Sequence, residues 1–406
     1  METFLDKTHD NVPVVVLGMG PNSPPVLKHL VRSGYRVIHV GRSREEKAYS
    51  SRYGEKRILP DPLRSPDDWI AAMLALGLEL GQGAVLLPLS DPFVIAIDAA
   101  AEQLDQSFRF LGFGSGLRTS LVTKDSAFKL AEQHDFPRPK TILIEDEESL
   151  RALMSTVGGP CLIKPASSHE WLEKEAQTLL GSAKAIVAEN PEELVNIYQR
   201  ARKVSTKLIA QEVIPGPDSN LLYWAGFVSK DQGVAGRIVG RKLRTYPPHL
   251  GSASFVRLED APEVEAQCEA FLVALGYEGI CGIEMKVDPR DGIAKLIEVN
   301  ARYGLWDILG VPAGVDLVGD AIQHALGNPS PPSRPSSFNF RWVDLMRDFA
   351  AYRIYSKEGS LSLSSWFYSL RPPMIVADLP LLSDPRYAAK NLLRRASAIR
   401  SLETSA

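Results

Sequence analysis

Short apolar runs interleave with amphipathic stretches through about residue 115: PVVVLG, YRVIHV and AVLLPL among VLKHLVRSG, DDWIAAMLALGLEL and VIAIDAAAEQL. Runs this short and this uniformly apolar suit a parallel sheet, and the amphipathic stretches suit the helices that cover it. A Rossmann-like layer is therefore expected first. The turn Gly18-Met19-Gly20-Pro21-Asn22-Ser23 after the first run has the place of a phosphate cradle, but it lacks the third glycine of GxGxxG. The second run ends in Gly41-Arg42, without the acid that a ribose contact needs. A tight strand-to-helix turn is the preferred reading. An NADP-binding oxidoreductase, with Arg42 or Arg44 on a 2′-phosphate, is the alternative.

The chain has 406 residues, more than one core accommodates, so two or three domains are expected. After the first layer, residues 119 to 210 read as a small α+β unit: LVTKDSAFKLAEQHDFPRPKTILI, the strand PCLIKPAS and the helix EELVNIYQRARKV. From Lys207 to Gly327 strands predominate, and Pro329-Ser330-Pro331-Pro332-Ser333-Arg334-Pro335 reads as a linker to a final extension. A net charge of -3 provides no basic field for a nucleic-acid backbone, so small substrates are expected. Cys161, Cys268 and Cys281 are odd in number and lack CxxC spacing, which suggests neither disulfides nor zinc. With a polar start and no apolar run near ~20 residues, a cytoplasmic protein without a membrane span is expected.

Holding a nucleoside triphosphate takes oxygen ligands for magnesium, cations for the phosphates and an apolar slot for the base. In KLIEVNAR, strand alternation puts Glu298, Asn300 and Arg302 on one face. Glu284, in GIEMKV, falls on a neighbouring antiparallel strand if DPRDG is a hairpin turn, and it then completes an oxygen cluster. A surface strand with solvated charges is the alternative, an odd one for so apolar a stretch.

Ile297-Glu298-Val299-Asn300-Ala301-Arg302 resembles the E-x-N-x-R signature of the ATP-grasp superfamily. The resemblance extends over roughly residues 5 to 330 and rests on motif order. It implies an α/β fold with a Rossmann-like pre-ATP-grasp domain (1–118), a two-lobed ATP-grasp domain (119–328, lid lobe about 140–208) and a C-terminal extension (329–406). It implies ATP with Mg2+ or Mn2+, the metal on Glu284, Glu298 and Asn300. Lys124 resembles the first phosphate-binding lysine, and Lys164 in CLIKP the strand lysine that reaches the α-phosphate and adenine. Gln211, Glu212, Val213 and Ile214 resemble the adenine hinge, and Asp218 stands where the family places a ribose-binding acid. The loop Ala166-Ser167-Ser168-His169-Glu170-Trp171 departs from the usual glycine- or serine-rich lid, so its cover of the phosphates stays open, as does a phosphate contact from His169.

Within the superfamily, GIEMKVDPRDGIAKLIEVNARYGLWD and RKLRTYPPHLGSAS resemble a carboxylate-amine ligase branch that includes D-aspartate ligase. By that resemblance Arg241 and Arg302 are catalytic, with Arg241 on the transferring phosphoryl group. Arg237 and Arg244 are candidates for a substrate carboxylate. The implied reaction joins a small carboxylate to an amine, from an amino acid or peptide, through an acyl phosphate. A nucleotide-binding regulatory protein without turnover is a further alternative, and a homodimer is left open. The extension, FNFRWVDLMRDF onward, resembles that of the same branch. Its basic end is expected to dock on the body or stay solvated rather than rest on a membrane.

Overall fold

The apolar runs of the first third form β1 (Val14–Leu17), β2 (Val37–Gly41), β3 (Glu55–Ile58), β4 (Ala84–Pro88) and β5 (Phe108–Arg109). They make one parallel sheet in the order β3-β2-β1-β4-β5. The computed structural model of the protein describes residues 12–81, 83–166, 170–172, 174–181, 184–205, 207–377 and 383–403. Alternation within the strands divides the packing. Val15, Leu17 and Ile38 meet Trp69, Met73 and Phe93 of the covering helices. Val14, Val16, Val85 and Leu87 instead share a core with Tyr303, Trp306, Leu309 and Ile322, from much later in the chain. At ~1.5–3 kcal/mol for each large apolar side chain removed from water, this shared core fixes the first sheet to the body.

A four-stranded antiparallel sheet follows: β6 (Thr141–Leu143), β7 (Cys161–Pro165), β8 (Ile186–Ala188) and β9 (Leu208–Glu212), in the order β6-β9-β7-β8. Two of its helices, Glu147–Val157 and Pro191–Ala201, begin on side-chain caps. Asp146 accepts from Ser149 N–H at 2.8 Å and Asn190 from Glu193 N–H at 2.9 Å, each supplying an acceptor to an otherwise unpaired donor. The last strand of this sheet ends at Glu212.

The third sheet holds β10 (Leu221–Ser229), β11 (Gly233–Tyr246), β12 (Ser252–Leu258), β13 (Gly279–Val287), β14 (Ala294–Asn300), β15 (Arg341–Val343) and β16 (Met374–Val376). Their order is β14-β13-β10-β11-β12-β15-β16, antiparallel except for the β15–β16 pair. Residues after the proline-rich linker are thus part of the central sheet. The helix Leu345–Lys357 then crosses β11, where Asp348 takes both arms of Arg244 at 2.8 Å and also accepts from Ser254 and Trp366.

Asp348 and Arg244 are both buried. Asp348→Ala should therefore destabilise the protein by about 3–5 kcal/mol, because a guanidinium stays buried without its counter-charge. An unchanged midpoint in denaturant would show that the pair contributes nothing.

Candidate active site

The DPRDG segment does form the hairpin joining β13 to β14. Asp288 and Ile293 close it through the main chain, and the Asp288 carboxylate gathers Arg290 and Lys295 at the turn. The register this sets places Glu284 directly opposite Glu298, and Gly282 opposite Asn300. Directly opposed residues share a face, so both carboxylates and the Asn300 side chain lie on one side of the sheet. Like charges in that arrangement repel unless cations sit with them.

The cations are lysines. Lys242 on β11 reaches Glu284 at 2.5 Å, passing over the Tyr223 ring. Lys164 on β7 donates to Gln211 Oε1 at 2.9 Å and lies 3.5 Å from the Ile297 carbonyl, which ties the four-stranded sheet to β14. Lys124 opens the helix Lys124–Gln133, and its main-chain N–H donates to the Ala166 carbonyl at the end of β7. Burial alone would raise the Glu298 carboxyl; Lys124, Lys184, Lys164 and Arg302 outweigh it and hold the group down to about 2. Lys164 shows the reverse balance. Burial, helped by Lys124, pushes its ammonium down to about 7 against the pull of Glu298 and Glu284. Lys184 is exposed, yet partial desolvation by the surrounding walls lowers it too, with Glu298 and Glu284 opposing.

Two glycines let this face assemble. A Cβ at Gly282 would lie 1.8 Å from the Tyr223 hydroxyl, and one at Gly240 would strike the Trp306 ring at 2.3 Å. Behind them Asp307 accepts from Gly304 N–H at 2.6 Å, and burial pushes its carboxyl up to about 7.

The three arginines of RIVGRKLR do not join the cluster. Arg237 pairs with Glu265 and Glu269 under the helix Pro262–Ala274, and Arg241 pairs with Glu259 while donating to the Ser219 carbonyl at 2.7 Å. Both project to the face opposite Lys242, as period-two alternation requires. Arg244 lies past a register shift and is spent on Asp348. Arg241, expected on a phosphoryl group, and Arg237 and Arg244, expected on a substrate carboxylate, are thus each paired with a protein carboxylate away from the Glu284 and Glu298 cluster. Arg302 lies beyond the end of β14. It reaches Asp91 of the first domain at 2.5 Å while staying within the field of Glu298.

In the hinge, the Gln211 side chain bridges Lys164 and Thr141. Glu212 holds Arg290 at 2.6 Å, Val213 N–H donates to the Pro160 carbonyl, and the Ile214 carbonyl accepts from Lys286 at 2.9 Å. Asp218 Oδ2 accepts from Thr245, His249 N–H and Tyr355, the last from the extension, whereas Oδ1 is buried with no hydrogen-bond partner. His169 lies outside the described residues.

The dinucleotide alternative finds no support at the glycine turn. The helix there starts Ser23-Pro24-Pro25, and two prolines delete N–H groups that a phosphate would need. Asn22 instead ties the turn to the Leu89 and Tyr303 carbonyls, Arg42 is held by Glu46 and Asp61, and Arg44 is exposed.

Among the described residues no group of three or more His, Cys, Asp or Glu is placed to hold a metal ion, and the candidate metal ligands are two carboxylates and one amide. No helix among the described residues is long and apolar enough to cross a membrane.

Over 229 residues the chain is 29% identical to the D-aspartate ligase of Enterococcus faecium, a stretch covering 54% of this chain and 53% of that protein. It thus spans about half the length of the curated relative it matches. No family model matches. Among solved structures, the ADP complex of N5-carboxyaminoimidazole ribonucleotide synthetase aligns with a TM-score of 0.62 at 12% identity, over 80% of this chain and 79% of that one. The MgADP-bound biotin carboxylase domain of Hydrogenobacter thermophilus 2-oxoglutarate carboxylase gives 0.62 at 17% identity, over 78% and 70%. An L-amino acid ligase from Bacillus licheniformis gives 0.60 at 18%, over 79% and 75%. These likenesses show the mixed α/β fold, and with the sequence relative they bear out the resemblance to the ATP-grasp ligases.

Proposed function

We propose that this chain, an ATP-grasp relative of D-aspartate ligase, is an ATP-dependent carboxylate-amine ligase working through an acyl phosphate. The observation that carries the reading is the opposed pair Glu284 and Glu298, ringed by Lys124, Lys164, Lys184 and Lys242. Glu284, Glu298 and the Asn300 amide oxygen form a hard-oxygen set suited to Mg2+ or Mn2+, and the ionised state of Glu298 fits that use. The metal, when bound, neutralises charge on the ATP phosphates.

In this reading Lys124 and Lys164 hold the phosphates, Gln211 fixes the Lys164 head, and Gln211 to Ile214 border the base. Asp218 Oδ1, which makes no hydrogen bond and lies 3.8 Å from His249 Nδ1, suits a ribose hydroxyl. A substrate carboxylate oxygen attacks the γ-phosphorus, the bond to the bridging oxygen of ADP breaks, and an acyl phosphate forms. Lys242 and Lys184 offset the charge on the transferring group. An amine then attacks the acyl carbon, phosphate departs and the nitrogen gives up a proton. Arg302, steadied by Asp91, orients the carboxylate at the C-terminal ends of the paired strands β1 and β4, where their connections turn to opposite faces and leave the crevice such sheets use for ligands.

Hydroxylamine tests this directly. Incubation with MgATP, hydroxylamine and a panel of amino and hydroxy acids should yield a hydroxamate and ADP with the true substrate. ADP without hydroxamate across the panel would reduce the protein to an ATPase, and neither product would overturn the ligase reading.

A further inference from the structure

The extension presents a surface that the ligase reading does not use. On the helices Leu345–Lys357 and Leu363–Ser369, Phe349 is 48% exposed, Ile354 37%, Leu363 50%, Phe367 62% and Tyr368 68%. Ring contacts join Phe349 and Phe367 through Trp366, and Leu363 stands one helical turn before Phe367. Trp366 lies 5.7 Å from Phe349, 5.4 Å from Tyr352 and 5.0 Å from Phe367. Trp366 itself is buried, and its Nε1–H donates to Asp348 at 2.8 Å. The exposed rings thus rest on a fixed base. Isolated exposed apolar side chains are ordinary, but a contiguous aromatic patch marks an interaction surface.

Charge indicates what meets it. The exposed charged residues of segment 345–377 are Arg353, Lys357 and Arg371 against Glu358 alone, and the Glu358 carboxylate faces His249 at 3.5 Å. The Arg371 guanidinium stacks over the Tyr368 ring at 4.3 Å, so cation and aromatic reach solvent together. Burial lowers the Arg341 pKa, and the nearby Arg371 and Arg257 lower it further, which marks a crowding of positive charge. A second copy of the chain placed symmetrically on this face would set these cations against one another. An anionic partner relieves them. Exposed aromatic tips interspersed with arginine and lysine suit the headgroup layer of a bilayer, where rings enter the interface and cations meet lipid phosphate.

We infer that the face formed by Phe349, Leu363, Phe367, Tyr368, Arg353 and Arg371 docks the protein on an anionic membrane surface. The inference is independent of the ligase reading, and it places the contact on these two helices rather than on the basic C-terminal helix.

Sedimentation with vesicles tests it, comparing phosphatidylcholine alone with phosphatidylcholine mixed with phosphatidylglycerol. Wild-type protein should sediment with the mixed vesicles and stay in solution with the neutral ones, and added salt should release it. The double substitution Phe367→Ser with Tyr368→Ser should lower the bound fraction by roughly tenfold, and Arg371→Ala should weaken binding to mixed vesicles. Both rings are exposed, so thermal unfolding should be unchanged. Absence of wild-type binding at physiological salt, or equal binding by the double variant, would overturn the proposal. A wild-type dimer dissociated by the same substitutions would assign the face to a second copy, and capture of acidic protein without vesicle binding would assign it to a protein partner; either also overturns it.

Discussion

Glu298→Gln should lower ATP-dependent turnover by roughly 10³-fold or more, because a metal held by two carboxylates and an amide loses half its ligand charge. The substitution keeps shape and changes charge at every working pH, since the carboxyl is held at about 2 and stays ionised. For the same reason the stabilisation from this carboxylate is in force above its ordinary value of 4.5 and is lost as pH falls towards 2. An acid limb of the activity profile near pH 6 would therefore belong to another group. Turnover and nucleotide affinity should be measured against Mg2+ concentration, with circular dichroism verifying the fold. Wild-type turnover in this variant, or full recovery at low Mg2+, would remove the metal assignment.

Lys242→Met should lower turnover by roughly 10²–10³-fold and change ATP affinity by less than about tenfold, because a cation beside the transferring group acts mainly in the transition state. Methionine keeps most of the apolar stem over Tyr223 while deleting the ammonium that meets Glu284. Arg241→Lys supplies the contrast. Its guanidinium is engaged with Glu259 and Ser219 on the opposite face, so turnover should stay within about threefold of wild type. Single-turnover ADP formation on both variants checks the pair. A loss confined to Arg241→Lys would reverse the assignment and show that β11 turns its other face to the nucleotide.

The sequence made the hairpin legible because everything needed to read it is local. A turn of Asp288 to Gly292 fixes which residues oppose, and period-two alternation then brings Glu284 and Glu298 together. Lys164 is legible only through its resemblance to a family lysine, because every residue of its strand is buried and no alternation shows. Choosing between Arg241 and Lys242 needed more, because their neighbours one residue apart look alike in sequence. Only the register carried from β14 through β13 and β10 to β11 settles which faces the carboxylates. Lys184 stands at the end of a polar stretch with no periodic signal. The pairing of Arg302 with Asp91 joins residues 211 positions apart, and no local pattern announces such a contact. The extension looked separable for a related reason. Its strands β15 and β16 are three residues each, too short for alternation to show, and their place in the sheet depends on β12 as a partner.

That placement has a consequence for how the protein is born. A ribosome that has just completed the proline-rich linker has already made both carboxylates and all four lysines of the cleft. The β12 edge is then still unpaired, Arg244 has no counter-charge and Asp218 awaits Tyr355. Open edges and uncompensated buried charges favour strand slippage and association in a nascent chain. The support of the cluster is therefore completed only by residues made after it, because β15, Asp348 and Tyr355 all follow the linker.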